Sequence, residues 1–291
     1  MTEKELQAHI LLLDDKNELV YANVRDSLLS QNDNILKQLE QALETSENEL
    51  VRVRLEGIVD VIKSSIVKKE FETWLTNGGN DILEGANIIC RQKYFDNDFA
   101  EENALIEEIK SNAWLEMHEN LTALEKTKVI NHILFNMYKF KGHKDYYNDF
   151  KSYYINNVTS SKKGSPVMLS VIYIAVAQKL DIPIFGVDLH NNFILAYVDK
   201  KSAEIAFDNS SDVLFYINPF NRGSIFGKNE IDQYLKQQNV EKKDKFYRAS
   251  DNIVVIRRLI IELMRLAKSK NDNNQLESLR ELYAISTKTD V

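Results

Sequence analysis

The stretch Gly164-Ser-Pro-Val-Met-Leu-Ser-Val-Ile-Tyr-Ile-Ala-Val-Ala-Gln-Lys-Leu180 decides the fold. Ser165 is a good helix N-cap, and Pro166 suits the first helical position because an N–H there would have no partner inside the helix. The residues from 167 to 180 are strongly apolar, so they predict a helix that is buried on most sides and ends at Asp181-Ile-Pro183.

Three short segments after this helix predict β-strands. They are rich in β-branched and aromatic residues and are bounded by polar turns. The segments are 184–188, 192–198 and 213–218. All three prolines of the chain lie between residues 166 and 219, whereas residues 1–163 contain none. A helix followed by antiparallel strands predicts an α+β fold.

The proline-free part of the chain predicts helices almost continuously. Apolar residues recur there at three- and four-residue spacing between polar breaks. Thr122 and Glu125 form a capping-box pattern at the start of the last of these helices. The predicted helices cover 6–13, 19–29, 35–43, 51–66, 81–90, 101–114 and 124–135.

The segment from Leu12 to Leu29 resembles one unit of a HEAT or armadillo repeat, in which an acidic turn caps a helix that packs on the next pair. The resemblance covers about two repeats. Stacked helical pairs often bind other proteins, but a helical layer that merely supports the rest of the chain is an equally open interpretation.

The aromatic-rich segment 135–154 precedes the central helix. Such a segment could form a stacking surface for bases or sugars. Because it carries little net positive charge, a long loop packed onto the domain is the favoured interpretation.

The C-terminal part of the chain again predicts helices. One starts at Lys228, a strongly amphipathic helix covers 252–267, and a partner helix covers 276–285. We therefore predict three regions: an all-helical, HEAT-like region at 1–120, a core at 121–240, and a C-terminal helix pair at 241–291.

Four sequence blocks follow one another in the core and carry a family resemblance. In this order they resemble the SirB-type transglutaminase-like family, which implies a papain-like core with a central helix packed on an antiparallel sheet. The blocks are Gly164-Ser-Pro-Val-Met-Leu-Ser, Ile182-Pro-Ile-Phe-Gly-Val-Asp, Asn192-Phe-Ile-Leu-Ala-Tyr and Ile217-Asn-Pro-Phe-Asn-Arg-Gly. In the wider superfamily, a Cys opens the central helix, a His lies on a strand and an Asp ends a later strand. The helix N-terminus and the imidazole favour the thiolate, and the carboxylate orients the imidazole.

By this resemblance, Pro166, Asn192 and Asn218 occupy the nucleophile, base and orienting positions. SirB-type sequences generally carry proline at the first position as well, but they usually keep His and Asp at the other two, where this chain departs from them. Asparagine forms hydrogen bonds but cannot act as a base or supply a counter-charge at neutral pH. The resemblance thus implies a remnant cleft without catalytic residues. Its candidate residues are Ser165, Pro166, His190, Asn192 and Asn218.

Such a cleft, with a helix N-terminus and two asparagine amides, favours hydrogen bonding to a neutral or weakly anionic group. A second interpretation stays open: the two amides only satisfy each other or nearby backbone groups. A displaced catalytic pair is the alternative. His190 precedes Asn192 by two residues, so in a strand it would face the same side, about 6 to 7 Å away. A hydrolase could pair it with Ser165, but that displacement exceeds the roughly 3 Å reach of a general base. We prefer a non-catalytic protein-binding or scaffold module and keep the Ser165/His190 hydrolase as the alternative.

Composition and charge narrow the expected partners, cofactors and cellular location. A net charge of -7 and a pI of about 5.4, with the basic residues interspersed among acidic ones, disfavour a nucleic-acid partner. The N-terminus lacks the pattern of a secretion signal, and no apolar run approaches the roughly 20 residues of a spanning helix. The single cysteine, Cys90, permits no intramolecular disulfide and is expected to be a small buried hydrophobe. The histidines show no metal-binding spacing. We expect a cytoplasmic protein without metal or cofactor that binds protein, not nucleic acid or membrane.

Overall fold

In the computed structural model, which describes residues 2–199 and 212–288, the chain divides into two compact units, Met1–Glu70 and Phe71–Val291. A four-stranded antiparallel sheet, whose neighbouring strands follow one another along the chain, is joined by many helices, which confirms the predicted α+β class. The helices are α1 Glu3–Leu12, α2 Glu18–Leu29, α3 Leu36–Thr45, α4 Glu49–Thr76, α5 Ile82–Arg91, α6 Ala100–Leu115, α7 Ala123–Asn131, α8 Ile155–Ser161, α9 Pro166–Lys179, α10 Lys228–Gln237, α11 Asn252–Ser269 and α12 Asn273–Thr287. The strands are β1 Lys141–Gly142, β2 Lys163–Gly164, β3 Ile184–Val187, β4 Ile194–Val198, β5 Val213–Asn218 and β6 Ser224–Phe226.

The first unit is built from α1, α2, α3 and most of α4. The buried Arg54 of α4 donates to the carbonyl oxygen of Leu13 at 2.9 Å and forms a 2.9 Å ion pair with Glu18. Asn17 caps α2 by accepting a hydrogen bond from the Leu19 N–H. One arginine therefore fixes the acidic turn between α1 and α2 to α4. The repeat-like nature of this unit stays a prediction.

Helix α4 is longer than the sequence pattern predicts, because it continues from the predicted end at Ile66 to Thr76. Val67, Phe71 and Trp74 recur at helical spacing on its buried side. The Trp74 indole N–H donates to the carbonyl oxygen of Asp81 at 2.8 Å. The apolar spacing that extends the helix is visible in the sequence, so the predicted end at 66 was too early.

Helix α9 is the centre of the second unit. Every residue from Pro166 to Ala177 is buried, and the Ser165 hydroxyl accepts a hydrogen bond from the Met168 N–H at 3.2 Å. The predicted buried helix and its N-cap are both confirmed. Helix α9 packs against α5, α6, α11 and the strands β3 and β4.

The sheet contains the three predicted strands and one more. Phe185 of β3 pairs with Ala196 of β4, and Leu195 of β4 pairs with Ile217 of β5. The short edge strand β6 was not predicted, because its three residues offer too little alternation to be read from sequence.

The structure also confirms the predicted capping box, the C-terminal helix pair and the packing of the aromatic segment. The Thr122/Glu125 capping box is present at the start of α7, and α11 packs on α12 as the predicted helix pair. In the aromatic segment, Phe140, Tyr153 and Tyr154 are buried, which confirms that the segment packs onto the domain. The predicted region boundaries at 120 and 240 stay predictions.

Candidate functional site

The three positions that the family resemblance assigns to the catalytic residues lie on elements that pack together. Pro166 is the first residue of α9, Asn192 precedes β4, and Asn218 ends β5. Because β4 and β5 are antiparallel and Leu195 pairs with Ile217, the start of β4 and the end of β5 lie at the same end of the sheet. Helix α9 packs on β4 and on the turn Pro219–Asn221 that follows Asn218.

The side-chain oxygens of the two asparagines accept hydrogen bonds from nearby backbone N–H groups. The Asn218 Oδ1 accepts from the Asn221 N–H at 3.2 Å, and the Asn192 Oδ1 accepts from the Phe193 N–H at 2.9 Å. Within the described residues, neither asparagine donates a hydrogen bond through its side-chain nitrogen. Each amide oxygen therefore accepts one backbone hydrogen bond, and within the described residues each amide nitrogen keeps its N–H donors.

His190 does not meet Ser165 through any hydrogen bond in the described part of the chain. The His190 Nε2 lies 3.0 Å from the Asn191 Nδ2, and its ring centroid lies 6.2 Å from that of Phe246. Its carbonyl oxygen accepts from the Tyr234 hydroxyl at 2.8 Å. Ser165 is fully buried and already accepts from the Met168 N–H. The two members of the alternative pair thus have separate partners.

Cys90 has the environment of an inert thiol. It is completely buried in α5, and its Sγ donates to the Asn156 Oδ1 at 3.3 Å. Burial raises the pKa of the Cys90 thiol to about 12. At neutral pH the reactive thiolate is therefore essentially absent. The predicted buried hydrophobe is confirmed.

A Ser, a His and an Asp meet beside the start of α9, and sequence reasoning missed them. The His143 Nδ1 lies 2.8 Å from the Ser152 Oγ and 3.5 Å from the Asp149 Oδ2. The Ser165 N–H donates to the Ser152 carbonyl oxygen at 2.9 Å, and the His143 N–H donates to the Gly164 carbonyl oxygen at 3.0 Å. This group ties the aromatic segment to the N-terminus of the central helix.

The connectivity of this group differs from that of a catalytic triad. In a triad, the hydroxyl and the carboxylate bind opposite nitrogens of the imidazole. Here Ser152 and Asp149 both approach the Nδ1 of His143, and Ser152 is only 1% exposed. A buried hydroxyl has no access to a substrate, so the arrangement is structural. Its only sequence signal was the pattern Asp149-x-x-Ser152, which is typical of a local side-chain cap.

Tyrosines of the aromatic segment form a wall next to the three positions. The Tyr146 ring contacts the Phe220 ring at 5.4 Å and the Tyr153 ring at 6.2 Å, both edge to face. Phe220 follows Asn218 by two residues, and Tyr153 follows Ser152, which binds Ser165. The aromatic composition of the segment was visible in the sequence, but nothing in the sequence distinguished these two tyrosines from the others.

Between residues 2 and 199 and between 212 and 288, no three His, Cys, Asp or Glu side chains are grouped so as to hold a metal ion. No helix in those ranges combines the length and the apolar character needed to cross a membrane.

Comparison with known proteins identifies the family. A sequence profile described as the transglutaminase-like superfamily matches residues 100–261. F-box only protein 21 of Mus musculus is 29% identical over 153 residues, which are 52% of this chain and 23% of that protein. UPF0162 protein YchA of Escherichia coli (strain K12) is 27% identical over 202 residues, which are 67% of this chain and 69% of that protein. A UPF0162 protein of Xylella fastidiosa (strain 9a5c) is 26% identical over 155 residues, which are 53% of this chain and 51% of that protein.

The chain thus spans about a quarter of the mouse relative and about half of the Xylella relative that it matches. No solved structure matches it. Because the superfamily profile covers more than half of the sequence, the chain belongs to the transglutaminase-like superfamily.

Proposed function

We propose that this member of the transglutaminase-like superfamily is a non-catalytic, SirB-type protein of the cytoplasm that works as a protein-binding or regulatory module. Its partner-binding site is the remnant cleft around Ser165, Pro166, His190, Asn192 and Asn218. The helical first unit supplies a second candidate surface for protein binding. The alternative is a hydrolase that uses a displaced Ser165/His190 pair.

One observation carries the proposal: the side chains at the three positions have no group that can perform the chemistry. Pro166 has no nucleophilic group. The amide oxygens of Asn192 and Asn218 each accept a hydrogen bond from a backbone N–H of their own turn. The Ser165 hydroxyl already accepts a hydrogen bond as the cap of α9, and the Cys90 thiol is buried and has a raised pKa. Acyl transfer needs an activated nucleophile and a base within hydrogen-bond reach.

The mouse relative supports the idea of a module. The matched segment is only 23% of F-box only protein 21, so a segment similar to this domain occurs there as one part of a much longer chain. We take this occurrence within a longer chain as agreeing with a recognition role, while the site residues, not the fold, carry the proposal. On that basis we assign this chain a binding role without turnover.

The chemical half of the proposal is tested with the purified full chain on glutaminyl and peptide substrates. We expect no acyl transfer and no hydrolysis, because none of the three positions can supply a nucleophile or a base. Any turnover is assigned by two variants, Cys90→Ala and Ser165→Ala. Turnover that Ser165→Ala abolishes would establish the hydrolase alternative, and turnover that Cys90→Ala abolishes would establish a cysteine enzyme. Either result would overturn the proposal.

The binding half is tested with the double variant Asn192→Leu/Asn218→Leu. If the cleft binds through the free amide donors, association with a protein captured by the wild-type chain falls, while circular dichroism stays unchanged. The matched control is Asn229→Leu/Asn274→Leu, which alters two exposed helical asparagines. Equal association of both folded doubles with that partner would contradict a role for the cleft. A parallel capture with the Phe71–Val291 unit alone is informative only if that unit folds, which circular dichroism decides first.

A further inference from the structure

Helix α4 exposes a row of apolar residues in the first unit. Leu50, Val53, Gly57 and Val61 follow one another at spacings of three and four residues, so they form one straight row along the helix. All four are exposed. The row, which we call the α4 stripe, extends over about 17 Å, or roughly three helical turns.

Gly57 forms a notch in the middle of the α4 stripe. Apart from its chain neighbours and the backbone of its own turn, no atom of the described chain lies within 4 Å of the point that a Cβ there would occupy. Its φ is not positive, so neither backbone conformation nor close packing within this chain calls for a glycine. A gap of this kind in a helix surface receives one large apolar side chain of a facing helix.

The turn between α1 and α2 lies along one side of the α4 stripe. Arg54 follows Leu50 by four residues and precedes Gly57 by three, so it lies on the same side of α4 as the stripe. It donates to the Leu13 carbonyl oxygen at 2.9 Å and forms its ion pair with Glu18. These two contacts hold both ends of the turn beside the stripe.

The chain next to these contacts exposes three leucines. Leu12 directly precedes Leu13, and Leu19 directly follows Glu18. Leu11 and Leu19 are 77% and 74% exposed, which is unusual for leucine, and Leu12 is exposed as well. Together with the leucine and valines of the stripe they present on the order of 500 Å² of apolar surface, a size that marks a binding site on a single protein. Because a stable complex of two folded proteins buries roughly 800 Å² per partner, the surface suits one docked helix better.

Acidic side chains border this surface. Glu56 and Asp60 are exposed, and each directly precedes a residue of the stripe. Within the described residues, their carboxylates make no ion pair and no hydrogen bond. In the turn, Asp14 and Asp15 are exposed beside one lysine, Lys16. The first unit holds fourteen acidic and nine basic residues, so it carries -5 of the net charge of -7.

We propose that the α4 stripe binds an amphipathic helix of a partner protein, whose apolar face lies on the stripe and whose lysines or arginines meet the acidic border. This inference rests on the protein-binding half of the proposed function and specifies the partner segment for the first unit. A large apolar side chain of the partner helix enters the notch at Gly57. Two other occupants match the charge less well. A second copy of this chain would bring one acidic border against another, and an anionic membrane surface would be repelled.

The test uses synthetic helices of about 18 residues, long enough to be partly helical in water. The first has leucine at positions i, i+3, i+4 and i+7 and lysine elsewhere. The second has glutamate in place of every lysine, and the third has the composition of the first in an order that removes the apolar face. Each peptide carries a fluorescent label, and its binding to the full chain is followed by fluorescence anisotropy at physiological salt. We expect only the first peptide to bind, with a Kd in the micromolar range.

Gly57→Gln tests the notch. Glutamine has a higher helix propensity than glycine and meets open space there, so the variant should fold while its side chain fills the notch. The Kd of the lysine peptide should rise about tenfold, the value of burying one or two methylene groups. The matched control is Ala104→Gln at an exposed position of α6, which should bind like the wild type.

Glu56→Gln/Asp60→Asn tests the acidic border. Both carboxylates are exposed and unpaired within the described residues, so the double variant should fold normally. The Kd should rise about fivefold, as expected for two exposed ion pairs, and this difference should vanish at about 1 M salt. The matched control, Glu116→Gln/Glu119→Gln, removes two exposed carboxylates of the second unit and should leave the Kd unchanged.

Several results would overturn the inference. They are binding of the glutamate or the reordered peptide as tight as that of the lysine peptide, an unchanged Kd in folded Gly57→Gln, or no binding of any peptide. A dimer in sedimentation velocity that Gly57→Gln removes would make a second copy the occupant. Binding to phosphatidylserine vesicles that Gly57→Gln removes would make it a membrane. The proposed function is decided separately, by the turnover assays and the double asparagine variant of the cleft.

Discussion

Replacing Ser165 with alanine tests the physical basis of the domain, because this one hydroxyl has two competing interpretations. As a helix cap it stabilises α9, and as a displaced nucleophile it would be required for turnover. The Oγ accepts from the Met168 N–H at 3.2 Å, and Ser165 is fully buried. Water cannot replace the lost acceptor at a buried site, so the Met168 N–H stays unpaired in Ser165→Ala.

The expected loss of stability follows from these contacts. Removing an N-cap costs about 1 to 2 kcal/mol, and burial puts this site at the upper end of that range. With a urea dependence of about 2 kcal/mol per M, the unfolding midpoint should fall by roughly 0.5 to 1 M. Trp74 and Trp114, the two tryptophans of the chain, both lie in the second unit with α9. Tryptophan fluorescence therefore reports the transition of this unit specifically.

Ser111→Ala is the matched control. Ser111 is an exposed residue of α6 whose hydroxyl donates to the Glu107 carbonyl oxygen at 2.8 Å. Alanine has the higher helix propensity, so the midpoint should stay or rise slightly. An unchanged midpoint in Ser165→Ala would refute the capping role. An unchanged midpoint together with the loss of a measurable hydrolase activity would favour the Ser165/His190 pair instead.

Three further outcomes are expected. The Cys90 thiol, whose pKa burial raises to about 12, should not react with a thiol reagent at neutral pH until urea unfolds the protein; rapid reaction of the folded chain would contradict its burial. Gly223→Ala should lower the free energy of unfolding by about 2 kcal/mol or more. The reason is that Gly223 has a φ of +72° and that a new Cβ would collide with the Asn131 side chain. A urea midpoint equal to that of the wild type would contradict this expectation. Burial raises the pKa of Tyr216 from 10.0 to about 12. Between about pH 10 and 12 the folded state therefore keeps a proton that the unfolded state loses, so the free energy of unfolding should fall as the pH rises through this range. An equally steep fall in Tyr216→Phe would exclude this tyrosine as a cause.

The centre of the fold could be predicted because its signals are local. Ser165 and Pro166 mark the start of α9, and its uninterrupted apolar run marks burial, so neighbouring residues alone decide the element. The same holds for the Thr122 capping box and for the β-branched strands. The extension of α4 to Thr76 was missed although its apolar spacing continues in the sequence.

The candidate site was predictable only in part, because its remaining members meet through contacts between distant parts of the chain. Tyr146 contacts Phe220, and the Tyr234 hydroxyl donates to the His190 carbonyl oxygen, and each pair is far apart in sequence. No local pattern marks either member of such a pair. His143 and Ser152 are closer, but their contact depends on a turn whose shape the sequence did not predict.

The loss of catalytic groups and the retention of the fold have a common physical explanation on the proposed alignment. Catalytic residues are held in arrangements that often reduce stability, whereas freed positions can be reused for local hydrogen bonds. Pro166 begins α9 at a position where a backbone N–H would have no partner inside the helix. Asn218 caps the turn Pro219–Asn221 through its Oδ1. Both residues stabilise the elements that a nucleophile and a counter-charge would otherwise occupy.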